Sequence, residues 1–206
     1  MQFDLNSFQR THSDWDGKPL NPDGNLGPKT AWALALASLP EWRQAVVKRA
    51  QTWLGFTEGP GNRGPQIDAW LRACGAPLGS PWCAAFGSYC LQASELGNVP
   101  KIAGALNLVR ALHPTDFPLP GDGFAYPTDD KGHGHFGIVI GVEIPTSEVM
   151  LDGLEIMTIE GNQRNAVRRL VRPVAGLKFG SLVLAAGVPG VDEKAERVTN
   201  GSANTR

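Results

Sequence analysis

Apolar and polar positions along the chain follow two regimes. Up to about residue 112 the apolar positions fit helical spacing. Thr30 to Leu39 is an Ala/Leu/Trp-rich helix candidate closed by Pro40, and Glu41 to Leu54 carries Trp42, Val46, Ala50, Trp53 and Leu54 on one helical face. Gly55 to Pro65 is a loop by composition, followed by a short helix from about Gln66 to Ala73. Trp82 to Leu96 has no Pro and only Gly87 as a weak helix former, so a helix is predicted there, and another over Ala103 to Leu112. After Pro114 the pattern shortens. Gly123 to Tyr126, His135 to Glu143, Glu155 to Glu160, Ala166 to Val171 and Leu177 to Leu184 read as strands separated by turn residues. The run from Phe136 to Val142 is β-branched and bounded by glycines, the mark of a buried strand. Helices first and strands later predict an α+β fold, its helices packed on an antiparallel sheet. From Val188 onward the chain is small and polar, and a frayed tail is expected.

Composition narrows the functional classes. A chain of 206 residues with 42% apolar and 19% charged positions supports one packed domain with a small appendage. Lys and Arg number 19 against 20 Asp and Glu, so no basic excess recommends nucleic acid as a partner. No run reaches the roughly 18 apolar residues of a membrane span, and no membrane insertion is expected. The opening Met1-Gln2-Phe3-Asp4-Leu5-Asn6 has neither a basic nor an apolar leader region, so synthesis in the cytoplasm without a signal peptide is expected. Three cysteines, none in a Cys-x2-Cys pair, argue against a disulfide framework and a zinc site.

Three places carry candidate chemistry. Cys83 follows the Pro-bearing turn Ser80-Pro81-Trp82 and opens a helix, where the dipole and unpaired N–H groups favour a thiolate and can hold an oxyanion. A buried structural cysteine is the competing reading. Cys74 and Cys90 read as core or half-buried residues. His135 heads the strongest strand; His133 has the same parity but sits nearer the Asp129-Asp130-Lys131 turn, where solvation is expected. His12 and His113 fall in polar or Pro-flanked segments and read as surface residues. The strand Ile156 to Glu160 ends in Glu160-Gly161-Asn162, and either Glu160 or Asn162 suits the third group that a Cys–His pair needs to orient its imidazole.

Four motifs then stand in order: Pro81-Trp82-Cys83-Ala84-Ala85-Phe86, Leu119-Pro120-Gly121-Asp122, Gly134-His135-Phe136-Gly137-Ile138-Val139 and Glu160-Gly161-Asn162. Together they resemble the CHAP domain, a group of papain-like cysteine, histidine-dependent amidohydrolases and peptidases that cut peptidoglycan. The resemblance covers about residues 41–180. It implies Cys83 as nucleophile, His135 as base, Glu160 as orienting acid, Asn162 as a fourth member and Trp82 as a substrate contact. It departs from many members before the cysteine, where Gly75 to Ser80 offers no side-chain amide and no carboxylate, so no calcium site and no other cofactor is expected. Asp122 reads as a structural turn residue.

Residues 1–39 carry a second resemblance. Asn21-Pro22-Asp23-Gly24-Asn25-Leu26-Gly27-Pro28-Lys29-Thr30, with Phe8-Gln9 before it, is similar to the signature of a small helical peptidoglycan-binding module, which implies Asp23 and Gly24 as substrate contacts. The competing reading is an Asx turn that starts a helix. The resulting expectation is a binding-like segment 1–39, a CHAP-like domain 40–186 and a tail 187–206. The implied activity is hydrolysis of a peptidoglycan amide by a monomer, as an N-acetylmuramoyl-L-alanine amidase or an endopeptidase, in a phage or prophage endolysin acting on the wall after release. A secreted antibacterial amidase toxin and a non-catalytic wall-binding protein on the same fold are the alternatives.

Overall fold

The computed structural model describes residues 3–143 and 153–183, and the expected tail and the Leu184 end of the last strand lie outside them. Among the described residues six helices come first: α1 (Leu5–Thr11), α2 (Pro28–Ala37), α3 (Glu41–Gln51), α4 (Pro65–Ala73), α5 (Cys83–Leu91) and α6 (Ala105–Arg110). Six described strands follow: β1 (His113–Pro114), β2 (Gly123–Pro127), β3 (Gly134–Glu143), β4 (Glu155–Glu160), β5 (Arg168–Pro173) and β6 (Lys178–Ser181). They form one antiparallel sheet in the order β1-β6-β2-β3-β4-β5. The mixed fold with an antiparallel sheet is therefore present.

Local chemistry explains the element ends. Pro28 and Pro65 start α2 and α4, where the missing N–H costs no helical bond. Glu41 in the first turn of α3 and Lys48 and Arg49 in its last complement the helix dipole. The helix expected over Trp82 to Leu96 ends earlier, at Leu91, because Gln92–Ser94 tightens into a 3-10 turn and Glu95 turns left-handed at φ 56°. The last strand but one begins at Arg168 rather than Ala166, since Ala166 instead bridges to Thr57.

The core lies between the helices and one face of the sheet. Val46, Val47, Ile67, Leu71, Phe86, Leu91 and Leu108 meet Phe136, Ile138, Ile140 and Ile159 there. Helix α5 runs through its middle, with eight of its nine residues buried. A Cβ on Gly87 would stand 2.3 Å from the Phe136 ring, so this glycine sets how closely α5 approaches β3. The Asp122 turn is pinned as a structural element. Its buried carboxylate accepts from Leu119 N–H (2.8 Å) and from Arg43 Nη1 (2.7 Å), and Arg43 also reaches Pro120 O and Ser181 Oγ (both 3.0 Å). This ties α3 to β2 and β6.

Residues of the 3–39 segment join the same core. Leu20, Trp32, Ala33 and Leu36 are buried in it, and Trp32 Nε1 donates to Ile140 O at 2.7 Å. Asp16 pairs with Arg169 of β5 at 2.6 Å. The segment is thus docked on the sheet through packing, a buried hydrogen bond and an ion pair.

Candidate active site

The site forms at the end of the sheet where β3 begins and β4 finishes, against the start of α5. Gly161, just past β4, lies so near Trp82 and Phe86 that a Cβ there would come within 2.7 and 2.9 Å of them. That contact brings the N-terminus of α5 to the strand ends. Cys83 is the first residue of α5 and is 5% exposed, with its unpaired N–H in the positive end of the helix.

His135 sits one residue into β3, opposite Tyr126 of β2. Its Nε2 meets Glu160 Oε2 at 2.8 Å. With Nε2–H donated to the carboxylate, Nδ1 is the nitrogen left for the Cys83 thiol. Burial opposes the imidazolium, but interaction with the Cys83 thiol and with Glu160 outweighs it and raises the His135 pKa to about 9. Glu160 shows the mirror-image balance. Its burial favours the neutral acid, yet hydrogen bonds from Arg172, His135 and Thr158 hold its pKa at about 2. A fixed anion therefore stands behind an imidazole that is readily protonated, facing a thiol at a helix N-terminus.

Glu160 is 0% exposed and fully engaged. Arg172 clamps it with Nε to Oε1 (2.5 Å) and Nη2 to Oε2 (2.7 Å). Thr158 Oγ1 donates to Oε1 at 2.6 Å, and Gln163 Nε2 to Oε2 at 3.2 Å. The Arg172 guanidinium lies 5.1 Å over the Tyr126 ring, whose centroid is 5.6 Å from that of His135. Arg172, Thr158, Gln163 and Tyr126 were not among the sequence-derived site residues. Strand alternation carried a signal for two of them: residues 158 and 160 of β4 share a face with residues 168, 170 and 172 of β5 by register.

Cys83, His135 and Glu160 are thus gathered in one place, and two other assignments are corrected. Asn162 is not a fourth member at the imidazole. It occupies a turn position at φ 57°, a conformation asparagine tolerates, and Gln163 makes the side-chain bond to Glu160 instead. Trp82 is not a substrate contact, because it is 0% exposed among Phe56, Trp70 and Phe86, with Nε1 donating to Glu58 Oε2 at 2.5 Å. An aromatic residue beside the thiol is here a wedge under the helix start.

Asp23 and Gly24 form an exposed loop pinned from beneath by buried Gln9. Gln9 Nε2 donates to Asp23 Oδ1 (3.1 Å), Asn25 O (2.9 Å) and Thr30 Oγ1 (3.1 Å), while its Oε1 accepts from Gly24 N–H (2.8 Å). Internal hydrogen bonding accounts for both residues. His133 is exposed on Asp129 (2.5 Å), His12 stacks on Phe8 at 3.7 Å, and His113 lies on edge strand β1. Cys90 is fully buried and Cys74 half-buried, and burial pushes both thiols up. No helix among the described residues is long and apolar enough to cross a membrane. Comparison with family models, with curated proteins and with solved structures finds no match.

Proposed function

We propose that this chain is a papain-like thiol hydrolase of the CHAP type that cleaves an amide bond in peptidoglycan. The observation that carries the reading is the placement of His135 between the helix-borne Cys83 and the clamped carboxylate of Glu160. The wall as substrate rests on the resemblance of the four motifs and of the Asn21 to Thr30 loop.

The chemistry follows from the geometry. The Cys83 thiolate attacks the amide carbonyl, and N–H groups at the start of α5 stabilise the resulting oxyanion. The imidazolium of His135 gives its proton to the leaving nitrogen as the C–N bond breaks, leaving a thioester on Cys83. Neutral His135 then takes a proton from water, whose oxygen attacks the thioester. The C–S bond then breaks to release the thiolate and a carboxylic acid, which gives up its proton to solvent, leaving a carboxylate and the regenerated thiolate–imidazolium pair. Glu160 fixes the ring and stabilises its charged form throughout. Digestion of purified sacculi should release new free amines in step with lysis and no new reducing sugar ends. New reducing ends would mark a glycosidase and refute the proposal.

A further inference from the structure

Beyond Tyr126 the sheet face continues as an open groove of about 410 Å3, lined by Tyr126, Gln163, Arg164, Arg168, Leu170 and Arg172 together with Val171. Three of these are cations and none is an acid. Arg172 is committed to Glu160, and the neighbouring Arg169 to Asp16. Among the described residues, Arg164 and Arg168 have no carboxylate partner, and both are exposed.

The loop that presents them is tied to the site at one end and closed by a tight turn at the other. Gln163 Nε2 bonds Glu160, and its carbonyl accepts from Arg168 Nε at 3.1 Å, which orients the Arg168 side chain. Arg164 adopts φ 49°, and Asn165 next to it φ 63°. Positive φ at both positions is what a tight two-residue turn requires, and Gln163 and Ala166 close that turn by exchanging backbone hydrogen bonds of 2.9 and 3.3 Å. Arg164 stands at the tip of that turn and lines the groove.

We propose that this groove is a subsite for a carboxylate-bearing peptide, with Arg164 and Arg168 as its cationic contacts. The inference rests on the hydrolase reading above and names the recognised chemistry: the acidic stem of the wall rather than its sugars. Arginine suits the role because its planar fork matches a carboxylate, and such charge-assisted bonds are the stronger class.

The test uses the full chain with Cys83→Ala, titrated by calorimetry with a soluble muropeptide bearing free carboxylates and with the same muropeptide after amidation. The acid form should bind about tenfold tighter or more. In Arg164→Gln/Arg168→Gln on that background the ratio should fall to about one, while Arg164→Lys/Arg168→Lys should keep part of it. An unchanged ratio in the Gln variant overturns the subsite, as does displacement of the acid muropeptide by equimolar inorganic phosphate. If both forms bind alike while Cys83-dependent cleavage of both proceeds, the subsite fails and the hydrolase stands. If the parent chain neither binds nor cleaves either form, both readings fall.

Discussion

Replacing Arg172 by Met removes the guanidinium partner of the buried Glu160 carboxylate. Glu160 would lose its Nε and Nη2 bonds of 2.5 and 2.7 Å and keep only His135, Thr158 Oγ1 and Gln163 Nε2. Stranding a buried charge costs about 3–5 kcal/mol. His135 remains as a second cation, so the lower end, about 3 kcal/mol, is expected at pH 7. That is a large part of a typical margin of about 5–15 kcal/mol, yet leaves a folded protein. Urea unfolding of the parent chain, Arg172→Met, Glu160→Gln and the double variant measures it as a cycle. Because neutral Gln needs no counter-charge, the double variant should be more stable than Arg172→Met, with a coupling of about 2 kcal/mol or more. The pH dependence has a definite sign. The folded pKa of Glu160 lies below its ordinary 4.5, at about 2, so its stabilisation is complete above 4.5 and fades as pH falls through about 2. The cost of Arg172→Met should shrink over that interval. A single variant within about 0.5 kcal/mol of the parent, or a strictly additive double variant, would refute the role of Arg172 as the clamp on Glu160.

Three further outcomes are expected. Cys83→Ala should abolish amine release with the fold retained, whereas Cys74→Ala and Cys90→Ala should remain active with some lost packing; circular dichroism alongside the amine assay separates the two effects. His135 has a folded pKa of about 9 against an ordinary 6.5, so its contribution is complete below 6.5 and lost as pH rises through about 9. The urea midpoint of the parent chain should therefore fall across that window, and His135→Gln should lack this component. Trp32→Ala should cost about 3–5 kcal/mol by cavity formation, and Trp32→Phe about 1 kcal/mol for the unpaired Ile140 carbonyl, both read by thermal melting. Equal melting temperatures would show that residues 1–39 contribute nothing to the core.

How far the sequence could be read follows from the range of the interactions involved. Helix α3 and strands β3 and β4 are legible because their apolar periods are local, and β4 ends where its pattern does, at Glu160. The two-residue strand β1 has no period to read; its partner β6 defines it. The Arg172 clamp lies one residue past the strand that the pattern predicts, which stops at Val171, and only the β4–β5 register brings position 172 to the face of Glu160. The burial of Trp82 is not legible because sequence shows the neighbour of the thiol without showing the aromatic cluster that covers it. Gln9 and Trp32 bond partners up to 21 and 108 residues away, beyond any local pattern.

Mass spectrometry of the fragments made from purified peptidoglycan, by the parent chain and Cys83→Ala side by side, tests the central claim most directly. The account predicts fragments that have gained one water across an amide bond, each with a new amine, from the parent chain alone. Water added across glycosidic bonds, or the same fragments at the same rate from Cys83→Ala, would contradict it.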